Sequence, residues 1–395
     1  MNPQAPTREK RSEIRGLGTF ASAALIVLIL AGCRQHDFPQ YPPNYREYIY
    51  VTNGGGDTVT VFDVVNVRVD RELQVGHDPV AVAASPTRND VYVVNAGASG
   101  ANGSLSVIDA EHNTVSATMP LHRQPASIAL SPTGSLAYVA NSGSDSISVV
   151  DLEHRREVAQ IPVGEEPAAA RVAPDGKTLV IANRGGGSVS VVDPASDRVR
   201  ATLGGCPGAA GVLFLPDSSK AFVPCSGGHQ VMVIALAQAD AHPPEPDRLE
   251  TLMDVGRAPV QLALKPDGGE IFASNSLSDS VSEIYDSSDE VGDTYMIGNG
   301  PVFGLVSPDN LLYEANLRSQ QVTVYSIDDG KLIGSIHVGD GPAALAFSAA
   351  GNLLFVADSR SGDVAVVRTA TGSLLTLLPA GRDPNAIVDK AFKLP

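Results

Sequence analysis

Six stretches place imidazole, carboxylate or guanidinium groups within three residues of a following Pro: His77-Asp78, His122-Arg123, Glu165-Glu166, Arg257, Asp340 and Arg382-Asp383. Gathered around one opening, such groups could bind a metal ion, an anion or a small polar ligand. Arg184, His229, Arg318 and Arg360 stand in a second recurring setting and would add to the same face. The charges are mixed and no ligand triad repeats, so neither a metal site nor a cofactor is assigned. Residues of this kind are also ordinary in solvated turns. A haem-attachment CxxCH, a Walker loop, an HExxH pair and a GxSxG elbow are all absent from the sequence. The "GGG" runs at 54–56 and 185–187 precede no helix that could cap a phosphate. The six stretches are therefore candidate binding residues at a channel mouth, with no catalytic residue assigned.

What must position them is a repeat. An aromatic or aliphatic pair ending in Asn, or in a stand-in, recurs at Asn53, Asn95, Asn141, Asn183, Cys225, Asn275, Asn316 and Asp358, at intervals of 41 to 50 residues. That is the size of a propeller blade. Each unit reads as four strands. "DPVAVAASP" is small and apolar, as an innermost strand near a crowded axis must be. "DVYVVN" is apolar on both faces, "SLSVID" alternates with period two, and "TVSATMPL" is a more polar outer strand. Turns such as "SPTGS" and "APDGK" separate them. One such sheet cannot cover both its faces alone, so neighbours must stack and the ring must close.

The ends of the chain complete each other. The first unit begins at its second strand, "YIYVTN", and the last is followed by a lone innermost strand, "GRDPNAIVD". The sequence thus predicts an all-β protein: a β-propeller of eight four-stranded blades, closed by the C-terminal strand joining the N-terminal blade. The phrases "YVTN" at 50–53, "YVVN" at 92–95 and "YVAN" at 138–141, with "GxxP…SPxG" before them, resemble the YVTN family of bacterial and archaeal β-propellers. The resemblance covers residues 48 to 395. It implies a propeller acting as a binding or scaffold module; members are commonly seven-bladed, so seven is the alternative count.

A Gly stands 19 residues before several anchors: Gly76 before Asn95, Gly164 before Asn183, Gly256 before Asn275, Gly339 before Asp358. The spacing predicts a structural clasp, in which Asn53, Asn95, Asn141, Asn183, Asn275, Asn316 and Asp358 hydrogen-bond backbone groups of the Gly-x-x-Pro turn. In the fifth unit both positions are Cys, Cys206 and Cys225. The register and an exported setting favour a disulfide there over two unrelated thiols.

The export reading comes from the N-terminus. Arg8, Lys10, Arg11 and Arg15 precede the apolar run "FASAALIVLILAG", too short for a comfortable membrane span. The run ends in Leu30-Ala31-Gly32-Cys33, which resembles the lipobox of bacterial lipoproteins. The resemblance implies a signal peptide over 1–32, cleavage before Cys33 and acylation of that residue, and a non-Asp residue after it leans towards the outer membrane. Residues 33–47 are the lipidated Cys and its tether, and residues 48–395 one propeller domain. A net charge of −16 argues against nucleic acid as a partner. The absence of Trp argues against ligand stacking on indole faces. Two functions follow: a lipid-anchored, non-catalytic envelope module binding a protein or small polar ligand at the channel mouth, or an exported propeller enzyme, either a lactonase-type metal-dependent hydrolase or an amine-dehydrogenase-like redox subunit. Expectation rests on the first.

Overall fold

The aromatic residue three places before each anchor explains where the core forms. Tyr50, Tyr92, Tyr138, Phe222, Phe272, Tyr313 and Phe355 hold this position in seven units, with Val180 in the eighth, and all are buried. Each such side chain, fully withdrawn from water, contributes about 1.5–3 kcal/mol. They do not meet in a single centre. The buried residues fall into eight hydrophobic clusters, each wedged between two neighbouring sheets.

The computed structural model describes residues 41–237 and 245–394. The chain divides into Met1–Tyr45 and Arg46–Pro395. In the first unit the rings of Tyr41 and Tyr45 stack with centroids 4.9 Å apart. Lipobox residue Cys33 lies outside the described residues.

Eight four-stranded sheets, numbered here as blades 1 to 8, form the ring. The innermost strands of blades 2, 3 and 4 are Pro79–Ala84, Pro125–Leu130 and Pro167–Val172. Blade 5 has only Leu213–Phe214, and blades 6, 7 and 8 have Pro259–Leu264, Pro301–Val306 and Pro342–Phe347. Blade 1 combines Tyr45–Asn53, Thr58–Asp63 and Arg68–Gln74 with the C-terminal strand Pro384–Lys393, which lies beside Tyr45–Asn53 as its innermost member. The count is eight, with closure by the C-terminal strand.

Specific side chains fix that closure. The Thr52 hydroxyl donates to Asn385 Oδ1 at 2.6 Å and accepts from the Ala386 N–H at 3.1 Å. Lys390, buried on the closing strand, donates to the carbonyls of Ser85 and Arg88 in blade 2 at 2.8 and 2.6 Å. On the other side Glu47 accepts from the Ala349 N–H of blade 8 at 2.7 Å. The hydrophobic wedge between blades 8 and 1, built on Ile49, Phe62, Phe355 and Val366, completes the ring.

Candidate functional site

The loops between blades form one face, and backbone hydrogen bonds build it. In all eight blades the residue after the anchor donates its N–H to a carbonyl in the turn that enters the inner strand. The pairs are Ala96 to Asp78, Ser142 to Gln124, Arg184 to Glu166, Ser226 to Gly208, Ser276 to Ala258, Leu317 to Gly300, Ser359 to Gly341, and Gly54 to Asp383 across the ring closure. Every one of these acceptor residues has a left-handed φ, between 48° and 72°. Gly adopts that conformation freely and Asp more readily than most, which accounts for much of the residue choice at this position.

The anchors work differently from the clasp expected of them. Their amides donate to hydroxyls of the third strand: Asn53 to Thr58 and Thr60, Asn95 to Ser104 and Ser106, Asn183 to Ser188 and Ser190, Asn275 to Ser280 and Ser282. Asn141 likewise donates to Ser148 and Asn316 to Thr323. The Gly 19 residues earlier contributes space instead of a hydrogen bond: a Cβ on Gly76 would stand 2.7 Å from the Asn95 side chain, and one on Gly256 2.6 Å from Asn275. Only a side chain without the amide changes this. Asp358 accepts directly from the Gly339 N–H at 2.9 Å, and burial, reinforced by Asp363, lifts its pKa to about 8. In blade 5 Cys206 and Cys225, both fully buried, are bonded with Cα atoms 4.9 Å apart.

The mouth residues are spread around this face. His77 and Asp78 line a cavity of about 410 Å³ with Gly97, Ser99 and Gln124. Burial raises the pKa of Asp78, and Asp383 and Asp57 add to the effect while His77 opposes it. Asp383 approaches from the closing strand: a Cβ on Gly54 would lie 3.2 Å from Asp78 Oδ1 and 3.5 Å from Asp383 Oδ2. The remaining candidates are engaged locally or exposed. His122 turns to Glu157 in the next blade, 3.1 Å away. Arg257 donates to the Leu277 carbonyl, and Arg360 pairs with Asp340 at 3.5 Å. Glu165, Glu166, Arg123 and Arg382 are exposed. Arg318 pairs with Asp279 and also donates to the Ser276 carbonyl, and His229 lies 3.6 Å from Asp254. Among the described residues no three His, Cys, Asp or Glu side chains group to hold a metal ion.

Sequence reasoning missed two sets. Asp57, Asp145 and Asp279, each four residues past an anchor, accept from the N–H of Asp78, Glu166 and Gly300 in the following blade and tie blade to blade. Their signal was the repeated Asp in "GGGD", "SGSD" and "SLSD". The second set lies in the channel. The inner strands of blades 3 to 7 enclose a cavity of about 450 Å³, its wall mostly Ala, Val, Leu, Ile and Phe. Gln261 spans blades 6 and 7, donating to the Gly304 carbonyl and accepting from the Gly304 N–H. Arg171 also lines this cavity, and it lines a second one of about 400 Å³ that opens towards Pro174 and Phe214. Behind Gly304 the wholly buried Glu314 fills the space a side chain there would need, its carboxylate 2.7 Å from the position of a Cβ. Burial pushes the pKa of Glu314 to about 8 against weaker pulls from Ser274 and the Phe303 N–H.

Comparison with known proteins agrees with this architecture. The family model "Lactonase, 7-bladed beta-propeller" matches residues 45–202, less than half of the chain. No curated protein sequence matches significantly. Dihydro-heme d1 dehydrogenase NirN, in complex with DHE, superposes with a TM-score of 0.73 at 15% identity, over 89% of this chain and 76% of that one. A candidate 6-phosphogluconolactonase from Bacteroides uniformis superposes with a TM-score of 0.61 at 18% identity, over 88% of this chain and all of that one. AztD from Citrobacter koseri does so with a TM-score of 0.63 at 14% identity, over 89% and 99%. The likeness is one of fold. The matched stretch 45–202 spans the strands of blades 1 to 4 up to the last of blade 4, and the ring it belongs to here has eight blades.

Proposed function

We propose that this protein is a lipid-anchored, non-catalytic binding module of the cell envelope, which admits its ligand at the loop face and holds it in the central channel. One observation carries the reading: the inner strands line a cavity of about 450 Å³ in the channel, where apolar side chains alternate with backbone polar groups, Gln261 and Arg171, a concave surface able to hold a small polar molecule. The mouth side chains support binding over chemistry. His122, Arg257 and Arg318 are drawn to partners in their own or the neighbouring blade, which leaves these three mouth groups committed to the fold and not poised for acid–base chemistry. Acylation at Cys33 supplies the anchor in this reading, and residues 33–47 the tether.

The lactonase family match over 45–202 favours a second reading, an exported hydrolase of the same fold. Native mass spectrometry of the full chain, extracted in detergent from its own envelope, separates the two. A stoichiometric, chemically unaltered small molecule retained by the protein supports the binding module. Turnover of added lactones to hydroxy acids overturns it. Cys33→Ala is expected to move the protein from the membrane to the soluble fraction, and a variant that stays membrane-bound refutes the lipid anchor.

A further inference from the structure

Arg171 is the one charged residue in the inner strands of blades 2 to 8. Counting from the Pro that opens each Pro-led strand, its equivalents in the other six blades are Ala83, Ala129, Ala263, Leu305, Ala346 and Val388. A small or apolar side chain is therefore all that the ring needs at this place. The Arg171 side chain lines the channel and is exposed to its water, and among the described residues no hydrogen bond or ion pair engages it. No carboxylate lines either of the two cavities it faces. Glu314, the nearest acid to the cavity wall, is sealed behind Gly304 and protonated at neutral pH.

A cation without a protein partner, set in a stretch of channel wall that carries no other charge, is free to pair with an incoming anion. We infer that Arg171 is the anchor of an anion-binding subsite in the channel, and that its ligand is a small organic monocarboxylate with an apolar body. This rests on the reading of the channel as the ligand site. The planar guanidinium fork matches a carboxylate in bidentate fashion. The single positive charge matches a monoanion, and no second cation lines either cavity to pair with a dianion. Ile128, Val212, Leu213, Leu262, Phe303 and Leu305 around the cavity then receive the apolar body. The rest of the molecule adds selectivity: with a net charge of −16 its surface does not collect anions indiscriminately.

The test is calorimetric titration of the detergent-solubilised full chain at pH 7 with phenylacetate, its neutral isostere phenylacetamide, and the dianion phenyl phosphate. Phenylacetate should bind at least tenfold more tightly than either of the others, and Arg171→Gln should abolish that preference. Equal affinity for phenylacetate and phenylacetamide, tighter binding of phenyl phosphate, or no binding of any of the three at millimolar concentration overturns the inference. Ala169→Phe, which narrows the cavity beside Arg171, distinguishes the two levels of the argument. Affinity unchanged in Ala169→Phe refutes the channel as the ligand site, whereas affinity weakened there but unchanged in Arg171→Gln refutes only the role of Arg171. The ligand-free melting temperature of Arg171→Gln should equal or exceed that of the wild type; a drop would mean that Arg171 serves the fold and would overturn its assignment to a ligand.

Discussion

Replacing Glu314 by Gln changes how stability depends on pH, and the size of the change follows from its surroundings. Glu314 pairs with Gly304 across two strands of blade 7 and is completely buried, with only weak donation from Ser274 and the Phe303 N–H to its carboxylate. Its folded pKa lies at about 8 against an unfolded value of 4.5. Between those values the folded state holds a proton that the unfolded state has released. The stabilisation is therefore fully present below pH 4.5, and it is lost as pH rises through about 8. One such group gives a slope of about 1.4 kcal/mol per pH unit, and the whole shift is worth at most about 5 kcal/mol. Gln has nearly the shape of the protonated acid and does not ionise. Urea unfolding at pH 5 to 9 should show wild type and Glu314→Gln nearly equal at pH 5. The variant should then gain relative stability steadily to about pH 8, with a constant gap above that. A gap as large at pH 5 as at pH 9 would refute the reasoning, because it would show that Gln changes packing and not charge.

Two further outcomes are expected. Replacing both Cys206 and Cys225 by Ala should lower unfolding free energy by about 3 kcal/mol, the chain-entropy value for a loop closed by residues 19 apart. The same loss should appear in wild type on reduction, measured by chemical denaturation. Glu166→Gly should raise stability by about 0.5–1 kcal/mol, since Glu166 is exposed and has a φ of 48°, and the relief of that left-handed strain outweighs the loss of its exposed side chain's contact with Gly185. A fall in melting temperature would show that the Glu166 side chain contributes to the mouth beyond its turn.

The fold was legible because each blade must solve the same problem. The interval between anchors, the aromatic three places before them and the missing strand at either end together specify blade count and closure, and nothing non-local was needed to read them. The anchor's partner was less legible. An Asn at a strand end can reach either the turn before it or the hydroxyl-bearing strand after it, and spacing alone favours neither. What decides is the Ser or Thr five and seven residues on, at Thr58 and Thr60 or Ser280 and Ser282, which places two acceptors within reach of one amide.

The channel-mouth residues are weak indicators of a ligand for a physical reason. Asp78, Glu166 and Asp383 differ between blades, and variation in a repeat invites a functional reading. Yet all three occupy the left-handed position filled elsewhere by Gly208, Gly300 and Gly341, where backbone geometry limits the choice and the side chain is free to vary. Variation is then cheap, and cheap variation carries little information about a ligand. The informative residue is one that departs from the repeat and serves no local need. By that criterion Arg171 stands apart: "PAAARV" reads in sequence as one more small, apolar inner strand, and only the ring shows that its fifth residue brings a charge to the channel where six other blades keep Ala, Leu or Val.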